Sequence, residues 1–539
     1  MTKVQKIDES YLKPNFVDRL ARYFPSWQRG RYEERLKTEA IAGGYSNAKK
    51  ASAVFENYIT ASTDPDSSVD YGQRLTLVER SRELLRDTPV ARGLINRICD
   101  HAIGARGLVL HPQIDSRALG WTPERATQWQ DEAESLWRTW SESAESDVVR
   151  TQNFQQKTYL TLQSMLEGGD CFTLFTNLVR AGSDFDLKLQ TIESERVSNE
   201  DRQEDGQVFL NGIKKDRVEG VIKDQYGAPE YYQISNNFPT DYTNFESTKW
   251  VNRKIFDSNG RRNILQHYNQ IRPGQTRGIP VLGTVTDKLL QLSRYSNAEL
   301  LAAVISSFYT LVITGEPSNT RQQRISPQGS DESVNDKLKL GSGSIVRADE
   351  GTTFETFETK RPSKLFEPFF VSMVAEIGAA VGVPKSLILM SFDKSYSASR
   401  GEVLLAWVYF LAKRTDMAIG LCQPTYEAFL DEVISKGILE APGYFSDSRI
   451  RRAFQGSGYN QWTGPTRPAI DELKEAAANE KYHNMKVKSL TGITAEVTGK
   501  DWRRVIDQIM RENSLNVKTG MESEIDQEEV EKLLEEDDE

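Results

Sequence analysis

Apolar residues recur at helical spacing along most of this chain. Leu75, Leu77, Leu84, Leu85, Val90, Leu94 and Ile98 predict two helices within residues 75–105, broken at Pro89, whose ring cannot follow a continuing helix. Residues 124–140 predict another. Between Phe154 and Gly278 the period changes. Phe172–Thr176, Leu187–Ile192 and Val208–Leu210 are short strand-like runs, and Gly220–Gly227 followed by Glu230–Ile234 reads as a hairpin. The turn-rich Arg272-Pro-Gly-Gln-Thr-Arg-Gly-Ile-Pro280 closes this α+β region.

The pattern is most informative beyond it. A long helix over 284–314 carries Val285, Leu289, Leu292, Leu300, Leu301, Val304, Phe308 and Leu311 on a broad apolar arc. The opposite stripe, Thr284, Asp287, Lys288, Gln291, Tyr295, Ala298, Ala302 and Ser306, ends in three small residues at four-residue spacing. Small residues let a second helix approach closely, within the chain or from a neighbouring copy. A second apolar helix carries Phe366, Phe369, Phe370, Met373, Val374, Ile377 and Val381, with Pro368 in its first turn and Gly382 and Pro384 at its stop. The polar residues between, Gly315–Ser363, include strand-like Ser344–Arg347 and Thr353–Phe357 and form an appended module. Lys385–Ser399 predicts a loop, Ser399-Arg-Gly-Glu402 a capping box, and Val403, Leu404, Trp407, Val408 and Leu411 a helix running toward Pro424. After Trp462–Pro465 the chain is again mostly helical, over 469–488 and 501–512.

The fold class is therefore α+β and helix-rich. At 539 residues there is room for several domains and a sizeable core. Of 78 acidic residues, 11 lie in Met521–Glu539 against the single Lys532, so the remaining 520 residues balance at 67 acids and 67 bases. Met1–Lys50 holds 11 Lys and Arg against 6 Asp and Glu. A basic domain of the kind that grips DNA through its phosphates is not encoded. Cys99, Cys171 and Cys422 lie far apart, form no metal-ligand pattern and read as core thiols in a reducing compartment. The N-terminus lacks the apolar run of a secretory signal, and Leu300–Ile313 is too short to span a bilayer, so no membrane partner is expected.

No catalytic, metal or cofactor site stands out. Gly499-Lys500 is followed by Asp501, and Gly492 lies too far upstream for a nucleotide phosphate loop. His101, His111, His267 and His483 are isolated, and Gly341-Ser-Gly-Ser344 lacks the strand, turn and helix of a nucleophile elbow. Glu167-Gly-Gly-Asp170-Cys171 reads as an ordinary turn before a strand; a metal-dependent DNA-processing enzyme built on Glu167 and Asp170 is the rival reading.

Taken in order, several short segments resemble the portal proteins of lambda-like tailed bacteriophages. They are Arg80–Ile95 with Ile103–Leu108, Arg272–Pro280, Arg294-Tyr295 with Ala298–Leu300, Phe366–Phe369, Gly382–Pro384, Ser395–Arg400, Cys422–Pro424 and Trp462–Pro465. The resemblance spans roughly residues 75–510. It implies a ring, typically dodecameric, at one capsid vertex. Residues 1–65 would be a basic arm, 66–283 a wing, 284–314 and 364–383 two stem helices, 315–363 a clip, 384–400 a tunnel loop, 401–465 a long helix returning to the wing, 466–520 a crown and 521–539 an acidic tail. Implied partners are other copies of the chain, double-stranded DNA, the terminase, head-completion or tail-adaptor proteins and the major capsid protein, first in the host cytoplasm and finally in the virion. Lys385, Lys394, Tyr396 and Arg400 are the tunnel-loop candidates for DNA contact; Ala298, Ala302, Ser306, Phe369 and Met373 are the stem-packing candidates. A channel lining multiplied around a ring must stay weakly basic for a duplex to slide, which suits the balanced body. A non-channel neck or baseplate protein of the virion is the third reading.

Overall fold

The computed structural model describes residues 63–69, 71–210, 212–239, 248–258, 260–308, 312–314, 353–355, 365–391, 395–458, 460–467, 472–498, 502, 505–506 and 508–512. Nearly all of the arm and of the clip, Lys394, the Gly341–Ser344 and Gly499-Lys500 motifs and the acidic tail lie outside these residues, as does the side chain of Ser306.

From residue 69 onward the chain opens with α1 (Tyr71–Asp87) and α2 (Pro89–Ala102), separated at Thr88 because Pro89 supplies a preset first-turn φ but no donor. Strand β1 (Val109–His111), the single turn α3 (Ser116–Leu119) and α4 (Pro123–Glu142) follow, the last capped by Thr122. Helix α5 (Phe154–Gly168) starts on a reciprocal capping box between Asn153 and Gln156. It leads into β2 (Asp170–Asn177) and β3 (Leu187–Glu193). Next come β4 (Gly206–Leu210), β5 (Ile213–Val218), β6 (Val221–Lys223), β7 (Pro229–Ser235), β8 (Trp250–Lys254) and β9 (Ile264–Tyr268). Strands β4 to β8 form an antiparallel meander in chain order, whereas β9 returns to pair with β2, giving the order β3-β2-β9.

Helix α6 (Thr286–Phe308) then leaves the sheets. It does not run on to Thr314: the β-branched Val312–Thr314 forms β10, paired antiparallel with β11 (Thr353–Glu355). Helix α7 (Phe366–Val381) is closed by Gly382 in the left-handed conformation, and Pro384 caps the short α8 (Lys385–Leu389). Helix α9 spans Tyr396–Met417. Its cap is Ser395, not Ser399, because Glu402 accepts the Ser386 hydroxyl at 2.6 Å and Ser399 already bonds back to the Ser395 carbonyl. The region expected as a loop thus holds α8 and the first turn of α9. A π turn, Ala418–Cys422, joins α9 to α10 (Gln423–Ser435), so Pro424 starts a helix instead of ending one. Helix α11 (Ser448–Gln455), β12 (Gln461–Thr463), α12 (Glu472–Asn484) and α13 (Leu490–Thr498) complete the described elements, and β12 pairs with β1 to tie the two ends of this unit together.

Two cores result. The larger gathers α1, α2, α4, α5, α7, α9 and α10 around Trp137, whose ring lies 5.0–5.9 Å from those of Trp140, Phe154, Tyr426, Phe429 and Trp462. The smaller, Phe172, Ile192, Val197, Val221, Tyr232, Ile234, Ile255 and Ile264, lies between the two larger sheets. Cys99, Cys171 and Cys422 are all buried, and burial pushes each thiol well above its ordinary range.

Candidate assembly face and loop

Helix α6 is anchored at one end and leaves leucines uncovered at the other. Leu289 and Leu292 sit in the main core with Val285 just before the helix, while Leu300 and Leu301 remain 65% and 60% exposed. It runs antiparallel to α7. Lys288 pairs with Glu376 at 3.2 Å, and farther out the Tyr295 ring meets Phe366 at 5.4 Å and Phe369 at 5.0 Å. The stripe predicted to admit a second helix therefore meets α7 at Lys288 and Tyr295. Ala298 and Ala302 continue it on the outer half, one exposed and the other half-buried. Phe369 is engaged by Tyr295, and Met373 packs half-buried on the main core.

Helix α9 has the same division. Ala406, Phe410 and Met417 are buried, whereas Leu405 and Val408 are 79% and 68% exposed, with Leu404 and Leu411 beside them. Two helices of one chain thus leave rows of leucine and valine in water, more than scattered exposure on a monomer explains.

The loop between α7 and α9 is held at its base. Val383 and Ile388 are buried, and Gly378 approaches the Val383 carbonyl so closely that a Cβ would sit 2.3 Å from its oxygen. Lys385 is half-buried in the first turn of α8. Tyr396 is the first residue of α9, its side chain outside the described set, and Arg400 lies one turn on, 3.6 Å from Glu475. Glu475 also takes Arg467 at 3.1 Å. Arg400 is accordingly paired inside the chain, and Lys385 is brought near the start of α9 through the contact of Ser386 with Glu402.

Sequence reasoning missed the most heavily bonded group. Arg277 is fully buried and uses all five N–H donors, two on Asp170 (2.5 and 3.0 Å) and one each on the carbonyls of Ser194 (2.7 Å), Val197 (2.7 Å) and Glu219 (2.6 Å). Burial alone would raise the Asp170 carboxyl, but the Arg277 charge and hydrogen bonds outweigh it and hold the group below its usual range. Beside it Arg74 pairs with Glu219, and there burial wins, raising the Glu219 carboxyl. The backbones of Gly169 and Gly278 touch, since a Cβ on Gly278 would lie 1.9 Å from the Gly169 oxygen. The glycines in both motifs were the available signal; their meeting was not.

Both carboxylates of the rival metal reading have arginine partners. Asp170 is committed to Arg277, and Glu167 lies 3.2 Å from Arg82, which also pairs with Glu193 and Glu195. Among the described residues no group of three or more His, Cys, Asp or Glu side chains is arranged to hold a metal ion, and no helix is long and apolar enough to cross a membrane.

Two apolar helix faces thus stay uncovered in a helix-rich α+β chain whose buried charges are paired within it. The family model of the phage portal protein, lambda family, matches residues 54–414, and the chain belongs to that family: it is a viral portal protein, a component of the phage particle. It is similar to portal protein B of Escherichia phage lambda, 23% identical over 74% of this chain and 75% of the relative. The portal protein of Escherichia phage N15 is 22% identical over 74% and 76%, and the probable portal protein of Halomonas phage phiHAP-1 is 21% identical over 69% of each. Among solved structures, a chain in the virion of a native gene transfer agent particle matches at TM-score 0.40 with 10% identity, covering 79% of this chain and 93% of that one. A chain in the neck of the empty particle, computed with C6 symmetry, matches at TM-score 0.41 with 11% identity, covering 78% and 92%.

Proposed function

We propose that this portal protein assembles into a ring, a dodecamer at one capsid vertex, and that double-stranded DNA enters and leaves the particle through its axis. The observation that carries the reading is the pair of uncovered apolar faces on α6 and α9 in a member of this family. Helix α6 with α7 forms the stem, and the contact between copies draws on Leu300, Leu301 and Val304 of α6, with Ala298, Ala302 and Ser306 allowing close approach and Phe369 and Met373 setting the angle of α7. Residues 66–283 are the wing, 315–363 the clip, 384–400 the tunnel loop and 466–520 the crown.

Lys385, Lys394, Tyr396 and Arg400 make transient contacts with the duplex. The ion pair of Arg400 with Glu475 supports this, because a cation already compensated within the protein holds phosphate less tightly than a bare one. The ring assembles in the host cytoplasm, joins the major capsid protein, docks the terminase during filling and head-completion or tail-adaptor proteins afterwards. It is passive: the terminase supplies the chemical work, and the purified portal does not hydrolyse ATP. Native mass spectrometry and electron microscopy of the purified full chain test the reading. Closed rings with a central hole are expected; a protein that stays monomeric at high concentration overturns it.

A further inference from the structure

The turn joining α12 to α13 is built like a binding surface. Helix α12 ends with the Val487 N–H on the Tyr482 carbonyl and the Lys486 N–H on the His483 carbonyl, both at 2.9 Å, the paired bonds of a Schellman cap. The left-handed position of that cap, which favours glycine, is held by Lys486 at φ 59°. A lysine kept where glycine is more comfortable points to a use for its charge.

Its surroundings point the same way. Lys481, Lys486 and Lys488 fall within eight residues, 481–488, that contain no acid, and the Lys488 ammonium lies 5.6 Å over the Tyr482 ring. Among them Met485 and Val487 are 70% and 64% exposed, with Tyr482 and Leu490 also in water. The surface is cationic and apolar together. Its complement is encoded in the same chain: Glu522–Glu539 carries 11 acids and intersperses Ile525, Val530, Leu533 and Leu534.

We propose that the acidic segment 522–539 docks on the Lys481–Leu490 turn, its carboxylates on the lysines and its aliphatic side chains on Met485 and Val487. Covalent linkage supplies an effective concentration on the order of millimolar, so weak, salt-sensitive contacts suffice. Docking also hides three lysines per copy from DNA in a protein that must not bind it tightly.

Zero-length carbodiimide cross-linking of the full chain, read by peptide mass spectrometry, tests this directly because it joins a lysine only to a carboxylate in contact. Cross-links from Lys481, Lys486 or Lys488 to residues 522–539 are expected, falling at least five-fold in 0.5 M salt. Lys486→Gly separates the proposal from a structural role. It should leave the melting temperature unchanged or raised while cutting the cross-links several-fold, and Leu533→Ser with Leu534→Ser should cut them without touching the turn. Cross-links spread evenly over other lysines, or unchanged by salt and by both variants, overturn the proposal. So does protection of these lysines by an added DNA duplex while the acidic segment stays uncross-linked.

Discussion

Arg277 shows how much of the β-sheet region hangs on one side chain. It joins β2 through Asp170 to the carbonyls of Ser194, Val197 and Glu219, shortly before the chain enters α6. Asp170→Asn leaves the guanidinium buried without its counter-charge and should cost about 3–5 kcal/mol in urea unfolding. The paired Asp170→Leu with Arg277→Met should lie closer to the wild type than either single change. His267 offers a pH test. It is buried against Thr173 at 2.9 Å, and burial lowers its pKa to about 4. The unfolded chain takes up the proton near pH 6.5 and the folded chain only near pH 4, so stability falls as pH drops through that window, by roughly 3 kcal/mol in all. His267→Gln should flatten this part of the stability profile. None of this was legible beforehand: Asp170 and Arg277 stand 107 residues apart, and nothing local in either motif names the other.

At the scale of elements, the sequence was readable wherever one local signal dominated. Pro89 divided α1 from α2, Gly382 ended α7, and alternating runs marked β2, β3 and β7. It failed where a tertiary partner decided. Glu402 looked like half of a capping box and instead bonds Ser386, moving the start of α9 back to Tyr396. Strands β5, β8 and β9 are mostly polar or short and are specified by their neighbours in the sheets, and α5 was hidden because its polar residues Lys157, Thr158 and Thr161 are themselves buried. The apolar stripes were visible, but which part of each stripe the chain covers itself was not. Leu405→Glu should therefore leave the thermal unfolding of the subunit within about 0.5 kcal/mol, since the side chain already faces water, yet abolish rings in native mass spectrometry.

For the molecule as a whole, family and class were legible in the order of short motifs together with the absence of a phosphate loop, whereas the two-core construction was not. The larger core is helical and aromatic, the smaller lies between sheets, and β1 with β12 closes the unit across more than 300 residues of chain. Such closure sets the uncovered helix faces on one compact unit, so assembly should proceed by docking preformed subunits. Leu301→Glu, remote from both cores, should accordingly yield a monomer with a wild-type far-ultraviolet spectrum and no particles filled with genome when supplied in place of the wild type.

The π turn at Ala418–Cys422 has a geometric outcome of its own. One surplus residue in an α-helix offsets everything beyond it by about 100° around the axis. Helix α10 is fastened in the aromatic core by Tyr426 and Phe429 and α9 by Ala406, Phe410 and Met417, so the surplus residue is what brings the buried sides of both helices to one core. Without it Pro424 would fall inside a continuing helix, where its ring meets the carbonyl four residues back, and Leu405 and Val408 would be turned by more than a quarter of a revolution relative to α10. The compass bearing of an apolar face almost four turns away is thus kept by a single inserted amino acid.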